Sequence, residues 1–92
     1  LDVEIDTDRR MVTKGGQKIA LKPLEYDCLL VLVRNQNKVL TRSQLLGALW
    51  GMEFEGETRT VDAHIGRIRK KLGFQDVIKT VPRIGYCLEV EP

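Results

Sequence analysis

Ninety-two residues, 42% hydrophobic and 30% charged, suffice for one small domain with a single modest core and do not describe a disordered chain. No apolar run approaches the roughly 20 residues of a membrane span, and nothing has the pattern of a signal peptide. The net charge of +2 excludes little, but its distribution is uneven. Residues 59–83 carry seven bases against two acids, whereas residues 1–58 carry eight bases and nine acids. Positive charge gathered on one stretch is what a nucleic-acid footprint requires.

In chain order, Leu1, Val3 and Ile5 alternate with Asp2, Glu4 and Asp6, the period of a strand with one wet face. Two more short strands are predicted over residues 9–13 and 17–21, joined by Lys14-Gly15-Gly16, which supplies the positive φ angles of a tight hairpin. Residues 1–22 thus form a small antiparallel platform. Pro23 opens a first helix whose buried face is Leu24, Cys28, Leu29, Val31 and Leu32, although Lys22 is a poor N-cap. Asn35-Gln36-Asn37 ends it, and Val39-Leu40 reads as a short apolar link. Thr41 and Gln44 match a capping box that opens a second helix burying Leu45, Leu46 and Leu49, closed by Trp50-Gly51. Residues 52–58 read as a loop with Glu53, Glu55 and Glu57 around Phe54.

A third helix follows over Arg59–Leu72. Val61, Ile65, Ile68 and Leu72 recur at helical spacing and draw one narrow apolar stripe. Arg59, Arg67 and Lys70 project from the opposite side with Ala63 and Gly66 among them, and Arg69 and Lys71 stand on the flanks. An oily back and a cationic front with small residues suit a polyanionic groove. The bland alternative is a solvated charged face. Gly73 stops this helix, and strands at 77–81 and 86–90, joined through Pro82-Arg83-Ile84-Gly85, form a final hairpin. The three-helix part is therefore residues 23–73 and the hairpin 77–90 of a single domain, 1–92. Cys28 and Cys87 lack metal-ligand spacing and suit a reducing cytoplasm better than a disulfide scaffold.

Five segments carry a family likeness: L-x-P-L-E-Y-D at residues 21–27, V-L-T-R-S-Q-L-L at 39–46, W-G at 50–51, R-T-V-D-x-H-I-x-R-I-R-K-K-L at 59–72 and T-V-x-x-x-G-Y at 80–86. In this order and spacing the whole chain resembles the C-terminal DNA-binding effector domain of OmpR/PhoB-type bacterial response regulators. The resemblance implies an α+β winged helix-turn-helix with an N-terminal antiparallel sheet, three helices and a β-hairpin wing. It also implies a third helix in the DNA major groove and a wing near the adjacent minor groove. Such domains usually follow a phosphoacceptor receiver addressed by a sensor histidine kinase. The chain begins at Leu1, not Met, and contains no receiver, so it is expected to be the output half of a cytoplasmic two-component regulator. Tandem half-sites bound by a homodimer, and RNA polymerase contacted through the loop before the third helix, are further implied partners. That loop holds Glu53, Phe54, Glu55 and Glu57; the plain alternative is that the acids keep it soluble while Phe54 tucks inward.

Carried onto single residues, the resemblance makes Arg67 the leading base contact, since its fork can grip guanine O6 and N7. Ala63 can touch a thymine methyl, and Asp62 either meets a base or orients an arginine. Arg59, Thr60, His64, Arg69 and Lys70 match or adjoin phosphate-holding positions. Arg42 and Ser43 lie at the start of the second helix, where free N–H groups favour a phosphate. Trp50 can place its indole N–H on a phosphate or simply pack. Thr80 and Tyr86 have hydroxyls for the same task. The family usually has Arg-Gly after T-V; here Pro82-Arg83 moves the minor-groove arginine by one residue, onto Arg83. Gly66 replaces a larger polar residue and costs about 1 kcal/mol against Ala.

Other readings share these residues. A receiver-less or membrane-anchored activator would use the same domain, and a winged helix can serve protein contact alone. An enzyme is not expected: no paired carboxylates, nucleophile with base, or phosphate-cradling glycine loop is present. No metal or cofactor is expected either, because His64 has no second ligand at a workable spacing.

Overall fold

The computed structural model describes residues 2–51 and 57–91. Strands β1 (Val3–Asp6), β2 (Met11–Lys14) and β3 (Gln17–Ile19) form an antiparallel sheet in that order. The register sets Ile5 opposite Val12 and Val12 opposite Ile19, so the apolar side chains share the inner face. β2 starts two residues later than residue spacing predicts. The carboxylate of Asp6 accepts the backbone N–H groups of Asp8 and Arg9, which draws residues 7–10 into a turn. Gly15 and Gly16, with φ of 56° and 82°, close the β2–β3 hairpin as expected.

Helix α1 (Pro23–Arg34) has a better start than Lys22 suggests, because Glu25 Oε1 accepts the Lys22 backbone N–H at 2.9 Å. At its other end Asn35 Nδ2 donates to the carbonyl of Val31. Helix α2 (Arg42–Trp50) opens on the complete capping box: Gln44 N–H donates to Thr41 Oγ1, and Thr41 N–H to Gln44 Oε1. Helix α3 (Arg59–Leu72) buries Val61, Ile65, Ile68 and Leu72 completely. Each is worth about 1.5–3 kcal/mol on leaving water, so this stripe seats the helix firmly. Gly73 takes the left-handed conformation past its end, and Lys14 Nζ donates to the Leu72 carbonyl at 2.6 Å. The platform thus caps α3 directly.

The second sheet has the order β4-β6-β5, from β4 (Leu40–Thr41), β5 (Ile78–Val81) and β6 (Gly85–Leu88). The apolar link at Leu40 proves to be a strand, pairing antiparallel with Tyr86 and Gly85. Two residues are too few to show a period. Gly85 is required by this pairing: a Cβ on it would stand 1.9 Å from the Leu40 carbonyl oxygen. The core joins all three helices and both sheets through Val12, Leu29, Leu32, Leu45, Ile68, Ile78 and Leu88. Cys28 lies in it, free and fully buried, and burial pushes its thiol up to about 12; Cys87 is also buried and free. Among the described residues no helix is long and apolar enough to cross a membrane.

Candidate nucleic-acid interface

With the apolar stripe of α3 sealed, helical geometry turns Arg59, Ala63, Gly66, Arg67 and Lys70 outward, and all five are exposed. Arg67 and Lys70 have no hydrogen bond or ion pair among the described residues, so their charges stand unneutralised. Arg59 is exposed and reaches Glu57 at 3.1 Å. Of the acidic loop, Glu57 is therefore engaged with α3, while Glu53, Phe54 and Glu55 lie outside the described residues. A Cβ built on Gly66 meets nothing within 4 Å, so packing inside the domain does not require glycine there.

Several residues expected to touch DNA are occupied inside the protein. Asp62 Oδ1 accepts Arg42 Nε at 2.8 Å and the Tyr86 hydroxyl at 2.5 Å. Burial raises the pKa of the Asp62 carboxyl, but the bonds from Tyr86 and Arg42 outweigh that and hold it below the usual carboxylate range. The Tyr86 hydroxyl is shifted up, first by burial and then by its bond to Asp62. Tyr86 is only 4% exposed and its proton already has an acceptor inside the domain. Arg69 is engaged inside the domain as well. Half-buried, it donates from Nε and Nη2 to the Ile78 carbonyl and from Nη2 to Thr80 Oγ1 at 2.8 Å, tying α3 to β5. Thr80 remains exposed.

His64 Nδ1 lies 2.8 Å from the Thr60 carbonyl of the preceding turn, and its ring meets Trp50 edge-on at 5.2 Å. With Nδ1 donating, only Nε2 faces any other partner. Thr60 and Trp50 are half-buried, and Ser43 is exposed in the first turn of α2. At the tip of the wing, Pro82 and Arg83 are the central residues of a turn closed by Ile84 N–H donating to the Val81 carbonyl. Arg83 has φ of 67°, the left-handed value a type II turn needs after Pro. It therefore sits where the family pattern has glycine. Arg83 shares an open hollow with Thr41, Arg42, Ser43, Thr58 and Ile84.

Residue spacing missed one feature of this face. Glu25 is completely buried on α1, and Lys71 Nζ donates to its Oε1 at 2.6 Å. Burial raises the carboxyl, but the bonds from Lys71 and the Lys22 N–H hold it below its ordinary value. One cation of the basic helix is thus neutralised from behind. The Lys22–Glu25 interval, that of a capping box, was the available signal.

Comparison with known proteins agrees with this architecture. A family model described as "Transcriptional regulatory protein, C terminal" matches residues 16–88. The phosphate regulon transcriptional regulatory protein PhoB of Rhizobium meliloti is 41% identical over 91 residues, covering 96% of this chain and 40% of its own. The chain thus spans about two fifths of that relative's length. The Klebsiella pneumoniae RstA DNA-binding domain, solved in complex with RstA box, superposes with a TM-score of 0.87 at 34% identity, covering 97% of this chain and 92% of that one. The Thermotoga maritima OmpR/PhoB homologue DrrB gives a TM-score of 0.88 at 35% identity over 98% of this chain and 42% of its own. The sheet-helices-wing order, the outward basic helix and these matches together place the chain in the C-terminal, winged-helix DNA-binding domain family of OmpR/PhoB-type transcriptional response regulators.

Proposed function

We propose that this domain binds double-stranded DNA sequence-specifically, with α3 in the major groove and the β5–β6 wing against the adjacent minor groove. The observation that carries this reading is the two-sidedness of α3: Val61, Ile65, Ile68 and Leu72 are sealed, while Arg67 and Lys70 stand outward and unpaired among the described residues. Arg67 and Ala63 read bases, and Lys70, Arg59, Ser43 and Arg42 hold phosphates, with Thr60, His64, Trp50 and Thr80 adjoining them. Arg83 supplies the minor-groove cation from its new place in the turn. In the whole protein, phosphorylation of a receiver by a sensor histidine kinase controls a cytoplasmic homodimer on tandem half-sites, and the loop carrying Glu53, Phe54, Glu55 and Glu57 meets RNA polymerase. The RstA domain solved with its box supports the DNA part of this reading.

Selection from random duplexes, followed by binding under a salt titration, tests it. Arg67→Ala is expected to lose about 1–3 kcal/mol and relax preference at one base pair. Lys70→Ala is expected to weaken all duplexes evenly and lower the salt slope by about 1. Wild-type affinity in both variants at moderate salt rules out this face as the reader. Absence of any salt-dependent duplex binding would favour a protein-contact module instead.

A further inference from the structure

Four residues expected on phosphates, Arg42, Arg69, Thr80 and Tyr86, meet in one internal network with Asp62. Its geometry is that of a brace. Asp62 and Arg69 are seven residues apart on α3, about 10 Å at 1.5 Å per residue. Asp62 accepts from Tyr86 on β6, and Arg69 donates to Thr80 on β5. Thr80 and Tyr86 are direct cross-strand partners. Two points on the helix are therefore tied to one rung of the wing, which removes the pivot that a single tie would leave. Arg42 brings α2 into the same network, bonded to Asp62 and lying over the Tyr86 ring at 5.3 Å, with Arg69 over that ring at 5.4 Å.

We propose that Asp62 and Tyr86 are positioning residues that brace the wing against α3, fixing the distance between what the helix reads and what the wing reads, without themselves contacting DNA. The brace is a property of the free protein. Its consequence for site spacing rests on the DNA-binding reading above. The hairpin's other ties, β4 beside β6 and the Arg42 N–H donating to the Ile84 carbonyl, join it to the start of α2, whereas Asp62 and Arg69 join it to α3, while Pro82, Arg83 and Ile84 stay exposed at its tip. Ile84 is half exposed, so the tip itself is not anchored by burial.

The test uses Tyr86→Phe, Asp62→Ala and the double variant. Tyr86→Phe keeps the ring and removes only the oxygen that reaches Asp62. In the free protein, hydrogen exchange at the Lys79 amide, which faces Cys87 across the wing, and at the Ile84 amide, which closes its turn, is expected to quicken by about tenfold or more, with α1 amides unchanged. Unchanged wing protection in all three variants overturns the brace, whether or not DNA is bound. On selected duplexes, shifting the wing-side base pairs by one position is expected to penalise wild type strongly and Tyr86→Phe much less. The double variant is expected to bind no worse than the weaker single one, because both substitutions break the same tie. If the losses of the single variants instead multiply in the double and the shift penalty persists, each residue touches DNA independently and the proposal fails. If wild type binds no duplex while the exchange result holds, the brace stands and the DNA reading falls.

Discussion

Removing one member of the Glu25–Lys71 pair should cost very different amounts depending on which member goes. Glu25 is 0% exposed and its Oε2 has no hydrogen-bond partner among the described residues, whereas the Lys71 side chain is 33% exposed. In Glu25→Leu the ammonium and the exposed Lys22 N–H both turn to water, so the loss is the charge-assisted bond from Lys71, about 1.5–3 kcal/mol, with the α1 cap lost beside it. In Lys71→Met the carboxylate stays sealed with only the Lys22 N–H, and an uncompensated buried charge costs about 3–5 kcal/mol. For a domain of this size each kcal/mol moves Tm by about 4–8 °C, so Lys71→Met should fall by more than about 12 °C. The double variant replaces both charges by apolar groups and should recover most of the Lys71→Met loss, staying about 1 kcal/mol below wild type for the missing cap on the Lys22 N–H. Thermal unfolding followed by circular dichroism at pH 7 measures all three, and at pH 4 the Lys71→Met deficit should shrink as Glu25 takes up a proton. Equal losses in the two single variants, or a double variant as unstable as their sum, would refute the burial argument.

Gly85→Ala places a Cβ against the Leu40 carbonyl oxygen, so β4 must part from β6; a loss of at least about 2 kcal/mol is expected in denaturant titration. Gly66→Ala should do the reverse, raising stability by about 1 kcal/mol, because its Cβ enters open space on an exposed helix face. Glu25 has its pKa lowered in the folded state, so its charge contributes stability that is present above the ordinary value of 4.5 and lost as pH falls through the folded value. Glu25→Gln should therefore be less stable than wild type at pH 7 and approach it in acid, as read by Tm across pH.

The parts legible in the residue order are those governed by local rules. The α3 stripe, the Thr41–Gln44 box, the Gly15-Gly16 hairpin and the Gly73 stop each depend on residues within a few positions of one another. The remaining features depend on distant partners. β4 is two residues long and exists only because β6 lies beside it. Glu25 looks like a solvent-facing acid until α3 brings Lys71 from 46 residues away. The candidate site divides in the same way. Arg67 and Lys70 could be placed outward by periodicity alone, but Arg42, Asp62 and Tyr86, separated by 20 and 24 residues, reveal their mutual bonds only when the wing closes on the helices. Local pattern gives the direction of a side chain, and tertiary structure decides whether another group has already claimed it.

Thr41 serves two elements at once: its backbone lies opposite Gly85 at the edge of the wing, and its side chain caps α2. The next residue, Arg42, donates its backbone N–H to the Ile84 carbonyl. Helix and hairpin consequently share a hinge post with no slack between them. A hairpin peptide cut out at residues 77–90 would lose both its third strand and the helix mounted on it. Any attempt to graft this wing onto another scaffold must transplant residues 40–42 with it.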